Sequence, residues 1–152
     1  MSNVDFVEEA IIDAKPDVVM KTVLDELAGK THWWTEMEQK VRGSPLAPGE
    51  SLENKVVDAV LHGTPTTRFT YKVVKLVDGK LIDTDTLSGP YVGKGIWSFE
   101  TADGGKTRIK YMISGHTVGV FSLLPKSMGK KQHSKSTQNL FKQLNGFLNS
   151  KN

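Results

Sequence analysis

The sequence predicts an α+β domain: one antiparallel sheet, covered on one face by a long C-terminal helix. Turn signals at Gly63-Thr64-Pro65, Asp78-Gly79, Ser88-Gly89-Pro90 and Asp103-Gly104-Gly105 cut residues 52–114 into short β-rich runs, and such short links join antiparallel neighbours. In the run at 91–101, Trp97 and Phe99 alternate with Ser98 and Glu100, and in the run at 106–114, Ile109, Tyr111 and Ile113 alternate with Arg108, Lys110 and Met112. One face is therefore apolar and the other mostly polar, as in a sheet covered on one side. Finally, Thr137, Leu140, Phe141, Leu144, Phe147 and Leu148 form a broad stripe at helical spacing near the C-terminus. A helix with such a stripe buries it against the apolar face of a sheet.

The elements follow in order. Residues 4–12 read as a strand ending at Asp13-Ala14-Lys15. Pro16 stands where a helix favours its first residue, because the N–H it lacks is unpaired there in any case. Val19, Met20, Val23, Leu24 and Leu27 continue at three- and four-residue steps, and Gly29 is a plausible cap. Thr31-His32-Trp33-Trp34 reads as a second short helix or turn. Gly43, Pro45, Pro48 and Gly49 are turn chemistry. Strands are expected at about 52–61, 67–77, 80–87, 91–101 and 106–114, a long loop at 115–131, and a helix at about 132–149.

With 152 residues the chain has the size of one domain, spanning 1–152. No apolar run approaches the roughly 20 residues needed to cross a bilayer. The start, Met1-Ser2-Asn3-Val4-Asp5-Phe6, has no secretory pattern, so a cytoplasmic location is expected. There is no cysteine, which excludes disulfides, thiolate nucleophiles and cysteine-based metal sites. The net charge of +3 hides an asymmetry. Residues 1–60 carry twelve acidic and six basic side chains; residues 61–152 carry five acidic and fourteen basic. From Lys126 onward there are six lysines and no acid. This basic segment suits a solvated helix face or a transient contact with an anionic membrane surface. No Phe, Tyr or Trp interleaves with the lysine cluster at 126–135, which argues against nucleic acid as a partner.

Taken in order, Ile12-Asp13-Ala14-Lys15-Pro16-Asp17-Val18-Val19, the Trp33-Trp34 pair, Gly93-Lys94-Gly95-Ile96-Trp97-Ser98-Phe99-Glu100, the Gly104-Gly105 hairpin and the final amphipathic helix resemble a START-like protein of the SRPBCC superfamily. This is the helix-grip fold, and the resemblance covers nearly the whole chain. The double tryptophan is similar to the heat-shock-ATPase-activator branch. The strand through Trp97-Ser98-Phe99-Glu100 and the Gly-Gly hairpin look more like the polyketide cyclase/dehydratase and lipid-transport branch, which is favoured. The resemblance implies a curved antiparallel sheet wrapped around the C-terminal helix, with two short helices after the first strand. It also implies a deep cavity between sheet and helix for a hydrophobic ligand such as a lipid, quinone, sterol or polyketide.

The expected cavity wall is Trp34, Phe69, Tyr71, Trp97, Phe99, Tyr111 and Phe121, although aromatic rings at strand spacing also serve as plain core. The 115–131 loop is apolar in its middle (Val118, Val120, Phe121, Leu123, Leu124) and has Gly115, Gly119 and Gly129 as candidate hinges. It reads as a lid, as a partner or membrane contact, or as a fixed loop packed on the core. A cyclase or dehydratase would need an acid or base at the cavity. His116, Asp83 and Asp85 are the candidates, with Glu36 behind them; the other three histidines read as surface or turn residues. Asp83 and Asp85 lie two apart and share one strand face, where a pair can raise one pKa. Neither a histidine pair at metal-binding spacing nor a phosphate-binding glycine loop is present. No metal or cofactor is implied. Three readings follow: a binder or carrier of a hydrophobic molecule, a cyclase-type enzyme, and a co-chaperone-like interaction module.

Overall fold

The computed structural model describes residues 4–63, 66–119, 123 and 126–150. The elements are β1 (Val4–Ile12), α1 (Pro16–Leu27), β2 (Met37–Val41), β3 (Val56–Leu61), β4 (Thr67–Val77), β5 (Leu81–Ser88), β6 (Tyr91–Thr101), a 3-10 turn at Asp103–Gly105, β7 (Thr107–Thr117) and α2 (Lys126–Asn149). The seven strands form one antiparallel sheet in the order β1-β7-β6-β5-β4-β3-β2. From β2 onward each strand pairs with its successor, and β1 docks beside β7.

Turn chemistry closes the hairpins as expected. Between β4 and β5, Gly79 takes φ +69° and the Lys80 amide donates to the Val77 carbonyl at 2.9 Å. The register between these two strands shifts twice, at Thr70/Tyr71 and at Val73/Lys75. Such irregularities bend a strand and increase its twist, which helps the sheet curve. Gly29 lies just past α1 with φ +78°, and a Cβ there would meet the Gln39 carbonyl oxygen at 2.5 Å. Glycine is thus required both for the helix exit and for its approach to β2.

Strand alternation sorts the residues between the two faces. Phe6 and Ile12 of β1, Ile109 and Ile113 of β7, Trp97 and Phe99 of β6, Ile82 of β5 and Val73 of β4 are all buried on the inner face. Helix α1 packs against β2, β6 and β7, and α2 packs against β1. Val19, Met20, Val23 and Leu27 of α1 join Leu140, Phe141, Leu144 and Leu148 of α2 in the same core. Each fully buried side chain of this size stabilises the fold by about 1.5–3 kcal/mol. Polar contacts at the rim fix α2: Gln143 Oε1 accepts the Thr35 amide at 2.7 Å, and Asn145 Oδ1 accepts the Asp13 amide at 2.9 Å.

Four expectations are corrected. The chain forms one helix after β1, not two: residues 31–36 run as an irregular segment into a turn. The Glu26 carboxylate holds them there, accepting the Thr31 hydroxyl at 2.7 Å and the amides of Trp33 and Trp34 at 3.0 Å each. Strand β2 was not expected, and β3 begins at Val56 rather than at 52. The expected 115–131 loop is shorter, because β7 runs on to Thr117 opposite Tyr91 and α2 begins at Lys126. Apolar spacing marks only the buried part of that helix, whereas Met128, Lys130, Lys131 and Gln132 before it are exposed.

Candidate functional site

A small cavity opens on the inner face of the sheet. Its volume is about 30 Å³, enough for roughly two water molecules. Five of the expected wall residues line it: Trp34, Phe69, Tyr71, Trp97 and Tyr111. Phe99 does not; it is buried in the core, paired in register with Ile109. Phe121 lies outside the described residues. The lining also includes Leu27, Met37 and four polar residues that sequence reasoning missed: Gln39, Thr84, Thr86 and Tyr91. Among the described residues, α2 contributes nothing to the lining. The cavity sits between the sheet, the end of α1 and the Trp34 turn, not between the sheet and the C-terminal helix as expected.

Backbone register builds this wall. Trp97 of β6 faces Tyr111 of β7, and their rings stack at 4.1 Å between centroids with planes 22° apart. Gly95, one inward position along β6, opposes Thr84, whose hydroxyl donates to the Gly95 carbonyl at 2.6 Å. A Cβ at Gly95 would lie 2.8 Å from that hydroxyl oxygen and 3.6 Å from the Tyr111 hydroxyl. Thr86 donates to the Tyr91 hydroxyl at 3.2 Å. The Tyr71 hydroxyl donates to Gln39 Oε1. Two lining residues retain buried donors without a hydrogen-bond partner among the described residues, Trp34 at Nε1 and Gln39 at Nε2.

The titration behaviour of the wall is uniform. Burial raises the Tyr71 phenol well above its ordinary value, and the Glu26 charge adds to this. Burial does the same to Tyr111, reinforced by Tyr91, and raises Tyr91 itself. All three stay protonated at neutral pH, so they are hydrogen-bonding groups and not bases. Among the described residues, no Asp, Glu, His, Lys or Arg lines the cavity.

The expected catalytic residues lie elsewhere. Ile82, Thr84 and Thr86 point inward from β5, so Asp83 and Asp85 point outward. There both carboxylates hold the Lys94 ammonium, at 2.7 and 2.6 Å. Burial pulls the Lys94 pKa down, and the two carboxylates more than offset this, leaving it raised. His116 is exposed on β7 opposite Val92, one position away from the inward Gly115. Glu36 accepts the side-chain amides of Asn139 and Gln143 and serves to anchor α2. The histidine that does approach the cavity wall is His133, expected at the surface. It lies half-buried on α2, with ring centroids 5.5 Å from Tyr111 and 5.7 Å from Phe6. Burial lowers its pKa to about 4 despite the nearby Glu8 carboxylate. The available signal was spacing: 133, 137, 140, 144 and 148 follow each other on one helix face. Among the described residues no group of three His, Asp or Glu side chains is placed to hold a metal ion, and no helix is long and apolar enough to cross a membrane.

No protein-family model and no curated protein sequence matches the chain. Solved structures do. A START superfamily protein from Mycobacterium smegmatis matches over 98% of this chain and 99% of its own, with TM-score 0.77 and 14% identity. TTHA0849 from Thermus thermophilus matches over 93% and 94%, with TM-score 0.73 and 19% identity. The Zhui aromatase/cyclase from a Streptomyces species matches over 93% and 91%, with TM-score 0.70 and 14% identity. One curved antiparallel sheet, a long C-terminal helix across its inner face and end-to-end agreement with these structures make this a START-like, SRPBCC-type helix-grip fold.

Proposed function

We propose that the protein binds a hydrophobic small molecule, of the lipid, quinone, sterol or polyketide kind, in the cavity on the inner face of the sheet. The observation that carries this reading is the composition of the wall. Six aromatic rings converge there with a few placed hydroxyl and amide groups, the usual makeup of a small-molecule site. The similarity to solved START-like and aromatase/cyclase structures supports it. Binding is favoured over cyclase-type catalysis, because no lining group among the described residues titrates near neutral pH to act as acid or base. At about 30 Å³ the cavity is far below the ~300–1,000 Å³ of a drug-sized site. A ligand therefore enters by displacing wall side chains, of which Gln39, Phe69, Tyr91 and Tyr111 are the half-buried polar or aromatic ones.

Native mass spectrometry of freshly purified protein, followed by organic extraction, tests this. An adduct of a few hundred daltons is the expected result. A thermal-shift screen of lipids, quinones and aromatic polyketides follows, in which a ligand at 100 times its Kd adds about 2.7 kcal/mol. No adduct and no shift would overturn the reading in favour of an interaction module.

The same reading extends to delivery at an anionic membrane surface. Leu123 is 83% exposed, with Val118 and Met128 also exposed, and the exposed Lys130, Lys131 and Lys135 follow on α2. Apolar side chains beside a cluster of lysines suit an anionic lipid surface. Cosedimentation with phosphatidylserine vesicles should exceed that with phosphatidylcholine vesicles and fall with salt. Equal binding to both would sink this extension.

A further inference from the structure

We infer that the molecule held in the cavity presents an uncharged hydrogen-bond acceptor, a ketone or quinone oxygen, to Trp34 Nε1 and Gln39 Nε2. The inference rests on the ligand-binding reading above and narrows it to a chemical class.

It starts from two buried donors, each on a residue that lines the cavity, that have no partner among the described residues. Folded proteins pair the large majority of such buried groups, and each exception calls for an explanation. Trp34 is only 6% exposed, so bulk solvent does not supply the partner. An indole N–H can only donate. Gln39 can donate or accept in general, but here its oxygen is taken by the Tyr71 hydroxyl, which leaves the amide nitrogen as the free end. Tyr71 remains protonated because burial and the Glu26 charge both disfavour its anion. The arrangement Tyr71 to Gln39 therefore fixes which way the amide points. Elsewhere on the wall, the Thr84 hydroxyl is spent on the Gly95 carbonyl and the Thr86 hydroxyl on Tyr91. The unpaired polar atoms of the wall are thus both donors, and the complement of two donors is an acceptor.

Charge decides what kind. Among the described residues no lysine, arginine or histidine lines the cavity, and a buried carboxylate without a cation is strongly disfavoured. Glu26, buried close enough to act on Tyr71, adds a negative charge that opposes a second anion. A fatty-acid or other carboxylate head is therefore excluded in favour of a neutral carbonyl.

The test uses two matched sets, indane, 1-indanone and indane-1-carboxylate, and fluorene, 9-fluorenone and fluorene-9-carboxylate. Affinities are measured by tryptophan fluorescence and calorimetry on the wild-type protein and on Gln39→Leu, Gln39→Glu and Trp34→Phe. The ketones are expected to bind about tenfold tighter than the hydrocarbons, the size of one or two hydrogen bonds, and the carboxylates weakest. Gln39→Leu and Trp34→Phe should each reduce the ratio of ketone to hydrocarbon affinity several-fold. Gln39→Glu, which keeps the shape and substitutes an acceptor for the donor, should abolish the preference. Hydrocarbon binding equal to ketone binding would overturn the inference while leaving the cavity as a ligand site; that result would mean water satisfies the donors. A preference unchanged in the variants, or tightest binding by a carboxylate, would overturn it as well. Silence from all six compounds would count against the ligand-binding reading itself and take this inference with it.

Discussion

His133 and Glu26 are two ionisable side chains that the fold takes out of water, with opposite consequences. Burial lowers the His133 pKa from 6.5 to about 4. The folded state thus prefers the neutral ring, while the unfolded chain still takes up a proton near pH 6.5. Between those values the unfolded state binds more protons, so stability is fully present above pH 6.5 and declines as pH falls towards 4. The loss amounts to about 2–3 kcal/mol. Urea denaturation of the wild type and of His133→Phe from pH 7 to 4.5 should show the decline in the first and a much flatter profile in the second; parallel profiles would refute the assignment. Glu8, which faces this ring from β1, is the carboxylate that tempers the shift. Glu26 keeps its place through hydrogen bonding, its carboxylate accepting from Thr31, Trp33 and Trp34. Replacing it with alanine strands one hydroxyl and two buried amides, at a cost of about 3 kcal/mol or more. Glu26→Gln, which keeps one good acceptor, should cost visibly less, and the two chemical-denaturation midpoints decide the point.

At the scale of elements, the β6–β7 pair carries the tightest constraint. Gly93 and Gly115 face each other in register. A Cβ at Gly93 would lie 2.1 Å from the Ser114 carbonyl oxygen, and one at Gly115 would lie 2.0 Å from that of Val92. These are main-chain atoms that cannot turn aside. Alanine at either position should therefore destabilise the domain by about 2–4 kcal/mol. Gly104→Ala, at an open turn with nothing within 4 Å, meets no such clash and carries only the smaller backbone strain of its φ of +75°. Comparing the melting temperatures of the three variants tests the contrast. The alternation of Trp97 and Phe99 was legible in the sequence because both faces of β6 have different surroundings. Strand β2 was not, because Met37-Glu38-Gln39-Lys40-Val41 is short and mostly polar, and pairs only because β3 offers an edge. The same fact hid Gln39, whose inward direction follows from its pairing with Ala59.

For the whole molecule, the proposed ligand has to enter a nearly filled core. Phe69 lines the cavity and is partly exposed, which makes it a candidate for the entrance. Phe69→Ala is expected to raise the association rate of a bound ligand several-fold by opening that path. Stopped-flow tryptophan fluorescence reads this directly, and an unchanged rate would place the entrance elsewhere.

Periodicity and turn chemistry determined the strand set from β4 to β7, the α1 start at Pro16, the α2 stripe and hence a sheet covered on one face by a C-terminal helix; the helix-grip architecture was implied by the family resemblance. These are local signals, set by 2.0- and 3.6-residue repeats that any reader of the chain can recover. Four wall rings, Phe69, Tyr71, Trp97 and Tyr111, were legible for the same reason, since they lie on the inner side of their strands, whereas Trp34 sits in the turn before β2. Only the tertiary structure decided that Asp83, Asp85 and His116 face away from the cavity, since parity along a strand distinguishes two faces without saying which is inside. Only it revealed the polar wall of Gln39, Thr84, Thr86 and Tyr91, the half-buried His133 and the absence of α2 from the described lining. Those depend on register between strands distant in sequence, and on which buried donors are left unpaired once every neighbour has been placed.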